Sequence, residues 1–306
     1  MFQIITMQII KMLLLLILGV ICYRRKLLDQ AGSKTLANLL LMVVSPALAI
    51  TSLQTDYDPA LVSGLLLSYL LAILTHLVMI ALSTIMIRKK GNSDVEIERF
   101  AAIYANCGFM GIPLIQSILG NEGVLYITAY MTVFNIVTWT HGIGIMTGNF
   151  SLKEVKKGLL SPMVIASFIG LILFFLRIRL PDVVNDTLTY VSQMNTPLAM
   201  LIAGISVAQT NIPAMLKNRK IYFTSAFKLL FMPAVVLLAL IPLRLPFNVA
   251  CTILVASACP SAATGTALAL RCQKNYKYYS ELYAFTTLLS LVTIPVFVYA
   301  AERFLV

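Results

Sequence analysis

Two short stretches combine polar side chains with helix breakers inside otherwise apolar sequence. The first is A-N-C-G-F-M-G-I-P-L, Ala105 to Leu114, and the second is A-C-P-S-A-A-T-G-T, Ala258 to Thr266. Gly108 and Gly111 permit unwinding and close approach, Pro113 removes a helical donor and frees a carbonyl, and Asn106 supplies a side-chain amide. Pro260 and Gly265 break the second stretch in the same way, with Ser261, Thr264 and Thr266 as hydroxyl donors. Such parts do recognition rather than bond making. They hold a solute by hydrogen bonds and by the positive ends of half-helices, which favour an anion.

Charge inside the apolar sequence points the same way. None of the 12 Asp and Glu residues falls near the middle of an apolar segment, whereas His76 and Lys228 do. An intramembrane ionisable residue is costly and is by default a functional-site candidate, and either cation could neutralise a carboxylate. The bland alternatives are a snorkelling Lys228 and a neutral, hydrogen-bonded His76; His141 is assigned to the same buried, hydrogen-bonded role and Lys11 to packing or snorkelling. Asn135, Thr138 and Trp139 are weaker candidates for the solute path. H-E-x-x-H and G-x-S-x-G are absent, and neither histidine has a nearby Asp to orient it, so an enzyme is not expected.

The elements that must position these residues are membrane helices. Of 306 residues 59% are hydrophobic and 11% charged, against about 25% charged in soluble domains. A spanning helix needs about 20 mostly apolar residues, which gives ten segments near 2–23, 35–53, 61–87, 100–119, 123–147, 162–180, 184–209, 221–242, 247–270 and 280–301. The segment 2–23 is followed by Arg24, Arg25 and Lys26 rather than a small-residue cleavage site, and is expected to be a retained first span. Cys22, Cys107, Cys251, Cys259 and Cys272 are odd in number and scattered, which suits small apolar residues better than a disulfide or zinc framework.

A net charge of +11 does not imply nucleic acid, because the basic residues sit in short loops between apolar runs. Most of the 23 lysines and arginines lie in the connections between segments 1–2, 3–4, 5–6, 7–8 and 9–10; Arg177, Arg179, Arg244 and Arg303 fall on the other side. Basic loops stay cytoplasmic, so a multi-pass protein of the cell membrane with both termini extracytoplasmic is expected. Ten spans divide into two fives, approximately 1–150 and 158–306, and an odd number inverts the second half. S-P-A-L-A around Pro46 recurs as T-P-L-A-M around Pro197, and Pro113 is matched by Pro260. Interrupted helices in corresponding places of inverted halves mark the binding site of a secondary transporter; Pro46 and Pro197 are expected to break scaffold helices.

At these residues the chain resembles the auxin efflux carrier family, whose members include plant auxin exporters and bacterial permeases for malate or malonate. The resemblance is carried by N-C-G-F-M-G-I-P-L with I-L-G-N-E-G after it, by N-T-P-L-A-M-L-I-A-G-I-S at 195–206, by A-C-P-S-A-A-T-G at 258–265 and by T-L-L-S-L-V-T-I-P near the end. It covers nearly the whole chain. It implies an all-α integral membrane fold of ten helices, with broken, crossed helices 4 and 9, and an elevator-like motion of a transport domain against a scaffold. Plant auxin exporters often carry a long central loop and an asparagine at the second crossover; here the loop is short and the crossover reads Pro260-Ser261-Ala262. A small organic anion such as malate or malonate, handled by a bacterial short form, is therefore expected rather than auxin.

The expected partners are that anion and the lipid bilayer, with a homodimer as one assembly and no nucleic acid. No cofactor or metal is called for. A coupling proton would fall to His76, and a coupling sodium ion to backbone carbonyls. A channel is the alternative, though no ring of charges or carbonyl-loop filter motif is evident.

Overall fold

A computed structural model describes residues 2–88, 93–148, 156 and 158–306. Lys89, Lys90, Lys153 and Lys157, which contribute to the basic-loop pattern, lie outside the described residues. The described chain is helical, with one isolated antiparallel bridge, Ala105 to Ser261, as its only β pairing. In chain order the helices are α1 (Phe2–Arg24), α2 (Gln30–Leu39), α3 (Ser45–Ser52), α4 (Pro59–Met86), α5 (Val95–Ile103), α6 (Ile112–Val137), α7 (Ile143–Thr147), α8 (Pro162–Phe175), α9 (Asp182–Gln193), α10 (Asn195–Gln209), α11 (Ile212–Lys217), α12 (Arg219–Ala226), α13 (Met232–Leu240), α14 (Phe247–Ala258), α15 (Thr264–Arg271) and α16 (Tyr276–Phe304).

Among the described residues seven helical runs are long and apolar enough to cross a membrane: 3–24, 30–52, 59–86, 107–147, 182–209, 219–243 and 276–304. Helices α8 and α14 are apolar but shorter. Polar loop residues start several helices: Asp29 accepts from Gly32 N–H at 2.7 Å, Asp58 from Ala60 N–H at 2.8 Å, and Asn275 from Tyr278 N–H at 3.2 Å. Each satisfies a donor that the first helical turn leaves open.

Three prolines leave the same local signature. A proline ring inside a helix clashes with the carbonyl four residues earlier and withholds an N–H. Pro46, Pro113 and Pro233 each follow a five-residue π-helical turn, Leu40–Val44, Cys107–Gly111 and Phe227–Phe231. The carbonyl four residues before each proline belongs to the middle residue of that turn, so the wider turn makes room for the ring. Pro46 therefore widens its helix without interrupting it: helix continues from Gln30 to Ser52, where sequence suggested a break. Pro197 instead follows a one-residue interruption at Met194, with α9 ending at Gln193 and α10 beginning at Asn195.

The long run 107–147 is not one rod. Gly120 holds φ +63°, ψ −151° inside it, a region that essentially only glycine occupies. The stretch G-N-E-G at this point is a turn between two helical segments.

The most extensive helix contacts fall into two sets, which also meet where α1, α3 and α8 pack on α6. In one, α1 runs along α10, and α3 packs against α8 and α9. The approach of α1 to α10 is close because a Cβ on Gly204 would meet the Leu16 backbone and one on Gly19 the Leu201 backbone. In the other set, α4 packs on α6, and α14 packs on α6, α13 and α16. The second set holds both broken stretches.

Candidate functional site: the crossing of two broken helices

Helix α5 stops at Ile103, Tyr104 is extended, and the chain becomes helical again at Cys107. Helix α14 stops at Ala258, Cys259 is extended, and α15 starts at Thr264. In lipid the backbone groups exposed by such breaks need protein partners, and here each break supplies them to the other. Asn106 N–H donates to Pro260 O at 2.7 Å, and Ala262 N–H donates to Tyr104 O at 2.8 Å. The Ser261 hydroxyl donates to Ala101 O at 2.9 Å, a carbonyl whose helical donor would have been Ala105 N–H beyond the break. Ser261 N–H donates to Thr286 Oγ1 at 3.2 Å, and Tyr279 O–H donates to Ala262 O at 2.8 Å.

Lys228 takes the carbonyl left over. With Ser261 N–H turned to Thr286, Ser257 O loses its helical donor, and Lys228 Nζ donates to it at 3.4 Å. Lys228 is fully buried, on the π-helical turn that Pro233 requires. Among the described residues that single long hydrogen bond is the ammonium's only one, and no carboxylate pairs with it. The Cys107 and Cys259 thiols and His76 lie within electrostatic reach of its ammonium.

Further polar atoms around the crossing are buried and unsatisfied. Asn106 is 5% exposed and its Nδ2 has no partner. Tyr283 is flanked by the side chains of Asn106 and Thr287, yet neither hydroxyl, nor that of Tyr130, completes a hydrogen bond of ordinary geometry. Asn195, at the start of α10, donates from Nδ2 to Gly108 O at 3.3 Å, and its Oδ1 is unpartnered. A buried polar atom without a partner costs about 1–3 kcal/mol, and native structures keep few of them. Here an ammonium, an amide and three hydroxyls able to donate are gathered at one place, with no protein anion to receive them.

The sequence-derived candidates divide by what they touch. Asn106 and Lys228 keep free donors at the crossing. Thr264 Oγ1 is also unpartnered. Ser261, in contrast, is spent on the backbone of α5 and joins the two breaks rather than facing a solute. Gly265 lies under the Tyr279 ring, and Gly111 against Ile127 and Cys259, so their role is close approach. Gly108 contributes its carbonyl to Asn195 and lies against Met131. Pro113 stands one turn into the second half-helix, and Pro260 supplies the carbonyl that Asn106 N–H binds. His76 donates from Nδ1 to Ala72 O at 2.7 Å and packs its ring 5.0 Å from that of Tyr130. Its Nδ1–H is thus committed to that carbonyl, and Nε2 finds no partner.

Two other polar residues of the spans are paired locally. Asn135 Nδ2 donates to Met131 O at 2.9 Å, and His141 Nδ1 is paired with Tyr104 O–H at 2.9 Å. Thr138 is buried with its hydroxyl unpartnered, Trp139 lies against Gly158, and Lys11 is exposed on α1. Asn195, Tyr130, Tyr283 and Thr287 were not singled out from sequence. Asn195 stands in the N-T-P motif and Thr287 opens T-L-L-S, so for these two the signal was a polar residue inside a recognisable motif.

A fold of apolar helices that breaks twice around a buried, donor-rich centre is that of a membrane transporter. The family model described as membrane transport protein matches residues 4–154 and 146–298, and the chain belongs to that family, the auxin efflux carriers. An uncharacterized transporter from Methanothermobacter thermautotrophicus is 26% identical over 298 residues, covering 95% of this chain and 96% of its own.

Proposed function

We propose that this secondary transporter carries small organic anions, carboxylates of the malate or malonate type, across the cell membrane by alternating access of elevator type. The observation that carries the anion preference is Lys228, fully buried with one long hydrogen bond and no carboxylate partner among the described residues. A carboxylate meeting Lys228, Asn106, Tyr283 and Thr287 would satisfy donors that the protein's own described groups leave open. Its charge-assisted bonds are about twice as strong as neutral ones.

Ten crossings in two inverted halves account for the helices. The run 107–147 turns at Gly120, its first part joining α5 as the fourth crossing and the rest forming the fifth; α8 is the sixth, and α14 with α15 the ninth. The division of the helices into two packed sets supports a moving unit with α4 to α6 and α12 to α16, sliding against a scaffold of α1 to α3 and α8 to α10. Pro46 and Pro197 both lie in that scaffold. Basic loops on one side support extracytoplasmic termini. A homodimer is the proposed assembly. A thermal-shift screen of the purified protein against mono- and dicarboxylates tests the solute class: a ligand at 100 times its Kd stabilises the folded state by about 2.7 kcal/mol. Stabilisation by uncharged analogues alone would overturn the anion preference.

A further inference from the structure

A cavity lies at the junction of the two loops that follow α3 and α8. The loop Leu53 to Tyr57 and the segment Leu173 to Arg179 enclose a cavity of about 320 Å³. Arg177 sits at its rim with its guanidinium over the Tyr57 ring, 4.4 Å from the centroid, and Tyr57 packs in turn on Phe174 at 5.7 Å. Stacking occupies the face of a guanidinium and leaves its five N–H groups free in the plane. None of them makes a hydrogen bond to a described residue; the only hydrogen bond of Arg177 is from its backbone N–H to Phe174 O, 3.1 Å. Arg177 therefore does not serve as a side-chain cap for the carbonyls at the end of α8.

Gln54 lines the same cavity. Its Oε1 accepts from Leu180 N–H at 2.9 Å, which fixes the amide, while Nε2 is buried without a partner. The remaining charges of the cavity, Arg179 and Asp56, are paired with each other, which leaves Arg177 as the uncompensated charge. Its backbone is held at φ +56°, in the left-handed region that costs a side-chain-bearing residue energy. An exposed guanidinium stacked on Tyr57, with Gln54 fixed in the same wall by Leu180 N–H, makes a set suited to a planar or tetrahedral oxyanion.

We propose that this cavity binds an oxyanion, a phosphate or carboxylate group, through Arg177 and Gln54, as a site separate from the solute crossing. The group arrives either as a free anion or on a lipid headgroup, since the helix ends that carry the site are those of membrane spans. The test uses the full chain in nanodiscs, with thermal unfolding as the readout. Inorganic phosphate is titrated in phosphatidylcholine discs against matched sodium chloride, and phosphatidylglycerol discs are compared with phosphatidylcholine discs. Wild type and Lys228→Gln should both be stabilised in at least one arm. Arg177→Gln should lose about ten-fold or more in apparent affinity, as expected for one charge-assisted contact, or lose the phosphatidylglycerol effect. Gln54→Leu should weaken the response less. Saturable phosphate stabilisation assigns a free-anion site, and a response confined to phosphatidylglycerol assigns a headgroup site. No response in either arm, or an undiminished response in folded Arg177→Gln, overturns the proposal.

Discussion

Replacing Lys228 by methionine should separate stability from function. The ammonium is fully buried and makes one hydrogen bond of 3.4 Å. Removing an ammonium from water costs several kcal/mol even after relaxation, and one hydrogen bond involving a charged group returns about 1.5–3 kcal/mol. The solute-free protein is thus destabilised by this residue. Methionine keeps the chain length without the charge, and exchanging buried charge for apolar groups has gained about 1–4 kcal/mol elsewhere. Against that gain stands the Ser257 carbonyl left without a donor, about 1–3 kcal/mol. The net change lies between about 2 kcal/mol destabilising and about 3 kcal/mol stabilising, centred near zero, whereas a carboxylate loses a contact of about 1.5–3 kcal/mol, roughly 10- to 160-fold in Kd. Thermal unfolding without ligand and calorimetric titration with malonate measure the two quantities separately. A much lower unfolding temperature together with unchanged malonate affinity would show that Lys228 is structural and refute the reasoning.

Other substitutions read other parts of the account. Asn106→Ala should abolish exchange while leaving expression and membrane insertion intact, and unchanged affinity and rate would remove Asn106 from the site. Gly265→Ala should destabilise by about 1–3 kcal/mol, the usual cost of overpacking, because its Cβ overlaps the Tyr279 ring; most of that loss should disappear in a Tyr279→Leu background, and full additivity in the double-mutant cycle would deny the contact. Gly120→Ala should cost about 1–3 kcal/mol through the backbone alone, since a Cβ there meets nothing within 4 Å; a neutral effect on unfolding would contradict the turn. Leu305→Cys should react with an impermeant maleimide in intact cells above the wild-type background, and labelling only after permeabilisation would reverse the proposed orientation.

Membrane character and the position of both breaks were legible in the sequence, because apolar length and clustered Gly, Pro and Asn report directly on what lipid tolerates. What the breaks do to each other was not. Ser261 reads from sequence as a hydroxyl for the solute, and only the crossing geometry shows that Ala101 O needs it. Pro46 reads as a break, but a π-helical turn absorbs its ring, and the same register at Pro113 and Pro233 could have been found by comparing the three prolines. Gly120 carried a usable signal in G-N-E-G, yet the φ +63° turn lies at a junction where helical periodicity gives no phase. Tyr283 and Tyr130 were hidden because a tyrosine in an apolar span looks the same whether its hydroxyl is satisfied or waiting.

The central claim is that a carboxylate is carried through the crossing of the two breaks. Counterflow in proteoliposomes tests it most directly: labelled malonate outside, with unlabelled malonate or an uncharged analogue inside, for wild type, Asn106→Ala and Lys228→Met. The account predicts saturable uptake that internal malonate accelerates and the uncharged analogue does not, with the acceleration lost in both variants although they reconstitute as folded protein. Uptake that does not saturate and ignores the internal solute, or full exchange by both variants, would contradict it.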